Sequence, residues 1–222
     1  MKNNLILTLA CTAGLACVAC VACVATAHAA PITYTFNGEV SRTLDNGSDD
    51  NRLESTFQNG DAFTFIFGID EDASNTSTDP AFGQYQSNIG GTVSFDNGFV
   101  ATTTGSPIVR IFDDFFGEDT LSLEAQLTGP QVNGLNVQKV SLALFDGSGT
   151  VFDSTALPTD FSYSDFEAFR FIIEFDGGDE VFVDGDITSL SVTTAAVPEP
   201  TTALGALTLM GLATLRRRCR TA

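Results

Sequence analysis

Several stretches between positions 32 and 193 alternate apolar and polar side chains with a period of two. Ile32-Thr33-Tyr34-Thr35-Phe36 shows it most plainly, because successive strand residues point to opposite faces. Phe63, Phe65 and Phe67 put three rings on one face, and Leu121 and Leu123 alternate with Ser122 and Glu124. This pattern predicts strands over residues 32–40, 62–69, 91–95, 108–112, 120–127, 139–145, 169–175, 181–183 and 187–193. Asn46-Gly47, Asn59-Gly60, Asn97-Gly98 and Asn133-Gly134 supply turns at or between them, and residues 164–169 read as one short helical turn. Short strands, frequent turns and no internal repeat predict an all-β domain over residues 30–196, an antiparallel β-sandwich of jelly-roll type.

The period-two pattern stops at both ends. Residues 5–27 are an apolar run behind Lys2, and Ala27-His28-Ala29 is a small-x-small signal-peptidase site. Residues 1–29 therefore read as a signal helix addressed to the Sec machinery, and the length of the run leaves an uncleaved anchor open. A lipoprotein reading of Cys11, Cys17, Cys20 or Cys23 lacks the leucine three residues upstream. At the other end Val197-Pro198-Glu199-Pro200 is held extended by its prolines. An apolar run over residues 203–215 and a basic cluster, Arg216, Arg217, Arg218 and Arg220, follow it. The run is shorter than the roughly 20 residues of a full span, so a transmembrane-type helix here needs Thr201, Thr202 and snorkelling arginines.

This order of Pro-Glu-Pro, apolar run and arginine cluster resembles the PEP-CTERM sorting signal, also known as the ice-binding protein C-terminal domain, over about a tenth of the chain. The resemblance implies an exosortase as partner, with Val197, Pro198, Glu199 and Pro200 as its recognition element and Arg216, Arg217 and Arg218 as a stop-transfer cluster. It also implies export, transient anchoring in the inner membrane, and delivery to the envelope surface or extracellular matrix alongside exopolysaccharide.

Composition narrows the chemistry left to the domain. All five cysteines and the single histidine, His28, lie in the two terminal segments. Residues 30–196 hold no Cys, His or Trp and one lysine, Lys139. Ser-His-Asp and Cys-His nucleophiles and zinc sites built on His or Cys are thereby excluded. The same stretch has 27 acidic and five basic side chains, a net charge of −22. Nucleic acid and anionic lipid are poor partners for such a surface.

Phenylalanine at alternating strand positions reads as core, whereas Phe115-Phe116, after Asp113-Asp114, reads as an exposed loop and a binding candidate. Asp70-Glu71-Asp72 with Ser74 spaces oxygen ligands as a calcium loop would, although Asn75 and Ala81 stand where an EF-hand needs glycine and glutamate. Asp113-Asp114 with Glu118-Asp119, Asp176 with Asp179-Glu180, and Asp184-Gly185-Asp186 are similar clusters, and all of them also suit solvated turns. Asp70, Asp72, Asp113 and Asp114 are the calcium candidates. The expectation is a non-enzymatic exported surface or matrix protein without a cofactor; the alternative is a calcium- or glycan-binding β-module.

Overall fold

The computed structural model describes residues 30–46, 51–177 and 180–195. They lie in one compact unit, Ala30–Ala196. Its strands are β1 (Pro31–Asp45), β2 (Ala62–Asp70), β3 (Phe82–Gln86), β4 (Gly90–Phe95), β5 (Val100–Phe115), β6 (Glu118–Thr128), β7 (Val137–Asp146), β8 (Ala168–Phe175) and β9 (Val181–Thr194). A 3₁₀ turn, Tyr163–Asp165, precedes β8.

Every pairing is antiparallel, and apart from β3, which pairs with β5, neighbours in the sheet follow the order of the chain. β1, β2, β4, β5, β6, β7, β8 and β9 form a ring that closes when β9 returns to β1, from Ile32↔Thr194 to Asp45↔Val181. The fold is therefore an eight-stranded barrel and not the expected sandwich. Alternation marks a strand with one buried face, which both architectures share; only the β1–β9 ladder distinguishes them.

β3 and β4 behave as one interrupted strand, since both pair with the same edge of β5. Ser87 pins the interruption: its buried hydroxyl donates to the Gly68 carbonyl at 2.6 Å and accepts from the Ile89 and Gly90 amides, each at 3.0 Å. β5 slips register opposite this break, between Thr104 and Ile108, where Gly105 is left-handed and Pro107 has no amide to donate.

The expectation of membrane-spanning helices is corrected as well. Among the described residues the 3₁₀ turn is the sole helical element, and no helix is long and apolar enough to cross a membrane. Residues 1–29 and 197–222, to which the signal helix and the transmembrane-type helix were assigned, lie outside the described residues.

The inward positions carry the rings that alternation assigned to them. Phe63, Phe65 and Phe67 are buried, as are Tyr34, Phe36 and Phe171. The rings form a chain through the barrel: Phe95 touches Phe63, Phe63 stacks on Phe171 at 4.1 Å, and Phe171 leads through Phe65 and Phe36 to Tyr34. Gly38 and Gly185 clear the space for that stacked pair. A Cβ on Gly185 would lie 2.6 Å from Phe63 Cε1, and one on Gly38 would lie 2.4 Å from Phe63 Cζ. Each such buried side chain contributes about 1.5–3 kcal/mol.

Both ends of the barrel are plugged. At one end Leu53 and Phe57 are buried, and Phe57 meets Phe95, Phe99 and Phe175 with centroids 4.9, 5.0 and 5.8 Å away. Arg52, beside them, forms a two-pronged pair with the buried Asp45 at 2.6 and 3.0 Å. At the other end the segment 147–167 brings Phe152, Phe161 and Phe166 together against Tyr34. The Tyr34 hydroxyl donates to the Pro158 carbonyl at 2.9 Å and that of Tyr85 to the Thr155 carbonyl at 2.7 Å. Burial raises both phenol pKa values, and Tyr85 adds to the rise at Tyr34.

Candidate binding surface

The four calcium candidates share the barrel end that carries Pro31 and Thr194. Asp70 closes β2, Asp72 lies in the turn after it, and Asp113 and Asp114 sit near the end of β5. Among the described residues no three acidic, His or Cys side chains converge as a metal would need. Asp113 stands in a crowd of like charge: partial burial raises its pKa, and Asp119, Asp114 and Asp153 raise it further.

Several of the other acids hold backbone. Asp119 is fully buried, and its carboxylate accepts from the amides of Asp114 at 2.9 Å, Val151 at 2.8 Å and Phe152 at 2.7 Å. Its ladder partner Asp146, 2 % exposed, accepts from Ser148 and Thr150. Those bonds, first the Thr150 amide and then the Ser148 hydroxyl and amide, lower its pKa. Asp176 is lowered by the Asn136 side chain and amide, with Arg52 adding a smaller effect. These side chains fasten the ends of the barrel, and sequence spacing alone does not distinguish that role from metal ligation.

Two surface features remain. The first is the β5–β6 hairpin tip. Phe116 and Gly117 form a two-residue loop with φ 59° and 83°, the left-handed pair of a type I′ turn. Asparagine or glycine normally occupies the first of these positions; a phenylalanine there costs about 1–2 kcal/mol. Phe116 is 92 % exposed. It meets Phe115 edge-on at 4.5 Å, and Phe115, Phe112 and Phe82 continue the ring contacts along the hairpin at 5.5 and 4.8 Å.

The second is a shallow trough of about 240 Å³ on the outer wall, lined by Ser122, Ser141, Ala143, Phe145, Arg170 and Glu174, among others. Ladder register builds it. Arg110 is opposite Ser122, Ser122 opposite Ala143, and Ala143 opposite Arg170, so two small side chains separate two arginines across four strands. Arg42, Arg52, Arg110 and Lys139 pair with Asp184, Asp45, Glu124 and Glu174. Among the described residues Arg170 has no such pair. Small outward residues on consecutive strands were a visible signal, but the register that aligns them was not.

No family model, curated protein or solved structure matches this chain. The resemblance of the C-terminal segment to a sorting signal thus rests on its own residues. Those residues (Val197, Pro198, Glu199, Pro200, Arg216, Arg217 and Arg218) and the signal-peptidase residues Ala27 and Ala29 lie outside the described residues.

Proposed function

We propose that this is a non-enzymatic exported protein that an exosortase delivers to the cell surface or extracellular matrix, where it is linked to exopolysaccharide or biofilm. The observation that carries this reading is the order of Pro198-Glu199-Pro200, the apolar run and the arginines at the C-terminal end. The Sec machinery and signal peptidase act first, at Ala27-His28-Ala29. The barrel is compatible with trimming on both sides: the buried hydrophobic residues described lie between Ala30 and Ile187. Mass spectrometry of the protein recovered from its host tests the route. A mature form beginning at Ala30 or Pro31 and lacking residues 216–222 is expected, and an intact arginine tail would overturn it.

A second reading, a glycan-binding module, draws support from the trough. Arg170 offers a forked donor that has no acidic partner among the described residues, and Ser122 and Ser141 line the same trough with the Phe145 ring. A glycan array that returns a specific ligand would favour this module over a purely structural matrix protein.

A further inference from the structure

We infer that the β5–β6 hairpin tip is a docking point for a basic segment of another protein, with the Phe116 ring as its contact and the flanking carboxylates as its collar.

Three observations point the same way. Phe116 is 92 % exposed, and its left-handed backbone is one that another residue would adopt with less strain. The ring therefore adds little to folding that an asparagine would not supply better. Second, Phe116 is the end of a ladder of rings, Phe82, Phe112, Phe115 and Phe116, which fixes its position for contact at little entropic loss. Third, the charge around it has one sign: Asp113 and Asp114 precede the tip, Glu118 follows it, and Asp114 and Glu118 are exposed.

The chemistry of the occupant follows from the charge. A membrane-inserting tip surrounds its aromatic side chains with Lys and Arg, which anionic lipids attract. Here the collar is acidic and the domain carries −22, so an anionic lipid surface is repelled. An arginine or lysine side chain meets the tip favourably in two ways. Its charge pairs with the collar, and its cation lies over the face of an exposed ring. It also relieves the like-charge crowding at Asp113. A segment with several such side chains, and methylene stems to lie along Phe115 and Phe116, matches the patch.

The test uses the barrel unit, residues 30–196, whose ring is closed and whose ends are both plugged by its own side chains. The probe is labelled hexa-arginine, titrated at pH 7 and about 0.15 M salt, where charges beyond roughly 8 Å are screened. Phe116→Asn leaves the net charge unchanged and suits the turn, so loss of binding cannot come from lost charge or unfolding. It is expected to weaken Kd at least fivefold, whereas Phe116→Tyr stays within twofold. Asp72→Asn, which removes an acid elsewhere at the same barrel end, is also expected to change Kd less than twofold. Equal affinity for wild type and Phe116→Asn overturns the proposal, as does no measurable binding by wild type. Phe116-dependent capture by phosphatidylcholine vesicles would assign the tip to lipid and overturn it too.

Discussion

Asp119 is expected to be the anchor of the segment 147–167, and Asp119→Asn isolates that role because it conserves volume and opens no cavity. The carboxylate places one oxygen on the Asp114 amide and the other on the amides of Val151 and Phe152. An asparagine has one acceptor oxygen. Turned toward Val151 and Phe152 it sets its own NH₂ against the Asp114 N–H; turned the other way it deserts two donors. At best one bond is lost and two change from charged to neutral. A hydrogen bond to a charged group contributes about 1.5–3 kcal/mol and a neutral one about 0.5–1.5 kcal/mol, so the gross loss is about 3.5–6 kcal/mol. Relief of repulsion with Asp113 returns part of it. A net loss of about 3 kcal/mol corresponds to a fall in Tm of about 6–12 °C for a domain of this size. Hydrogen exchange supplies the local readout: the Val151 and Phe152 amides should exchange faster in the variant, beyond what the global change explains. Asp146→Asn is expected to do less, because one of its donors is the Ser148 hydroxyl, which can turn. A Tm within about 2 °C of wild type, with Val151 and Phe152 exchange unchanged, would refute the anchoring role.

Asp113→Asn is expected to raise Tm at pH 7, because the raised pKa means that the folded state disfavours the ionised form; the gain fades as pH falls through that pKa and vanishes below the ordinary value of 3.8. Asp146 and Asp176 have the opposite sign, so the stability they contribute is present above 3.8 and is lost as pH falls through their lowered pKa values, which acid denaturation followed by circular dichroism would show. Gly185→Ala pushes a Cβ to 2.6 Å from Phe63 Cε1 and should destabilise by about 1–3 kcal/mol in urea titrations, with Phe63→Leu in the same chain recovering part of the loss. Calcium at millimolar concentration should leave Tm of residues 30–196 nearly unchanged, and a rise of several degrees reversed by EDTA would instead favour a calcium-binding module.

Much of the wall of the barrel was legible from alternation, because inward and outward residues differ in type along β1, β2, β6 and β7. The turns at Gly60, Gly98 and Gly134 were legible for the same local reason: each follows an asparagine and has a positive φ. What failed was non-local or disguised. The first half of β5 reads Val-Ala-Thr-Thr-Thr-Gly-Ser-Pro, a loop by composition, and becomes a strand because β4 and β6 pair with its two edges. Asp184-Gly185-Asp186 looks like a turn yet runs straight through β9, since its glycine clears two rings rather than bending the chain. β3 was missed because two glycine-flanked residues and a buried tyrosine leave too little pattern in five positions. In the candidate surfaces, exposure of Phe115-Phe116 was foreseen from the preceding aspartates, while the trough depended on strand register, which no single stretch contains.

The pairing of β1 with β9 has a kinetic consequence. Tyr34 meets Val192 and Asp45 meets Val181, so the seam joins the first strand to the last. Elsewhere in the ring no connection between neighbouring strands is longer than the segment 147–167, but this seam spans almost the whole domain, and such long-range closure slows folding. Synthesis delivers β1 long before its second neighbour exists. Until β9 arrives, one edge of β1 has no strand to bond. A protein assembled this way completes itself only once its entire β-domain is in one compartment, and the export proposed above would meet that condition if the chain crossed the membrane before the barrel closed.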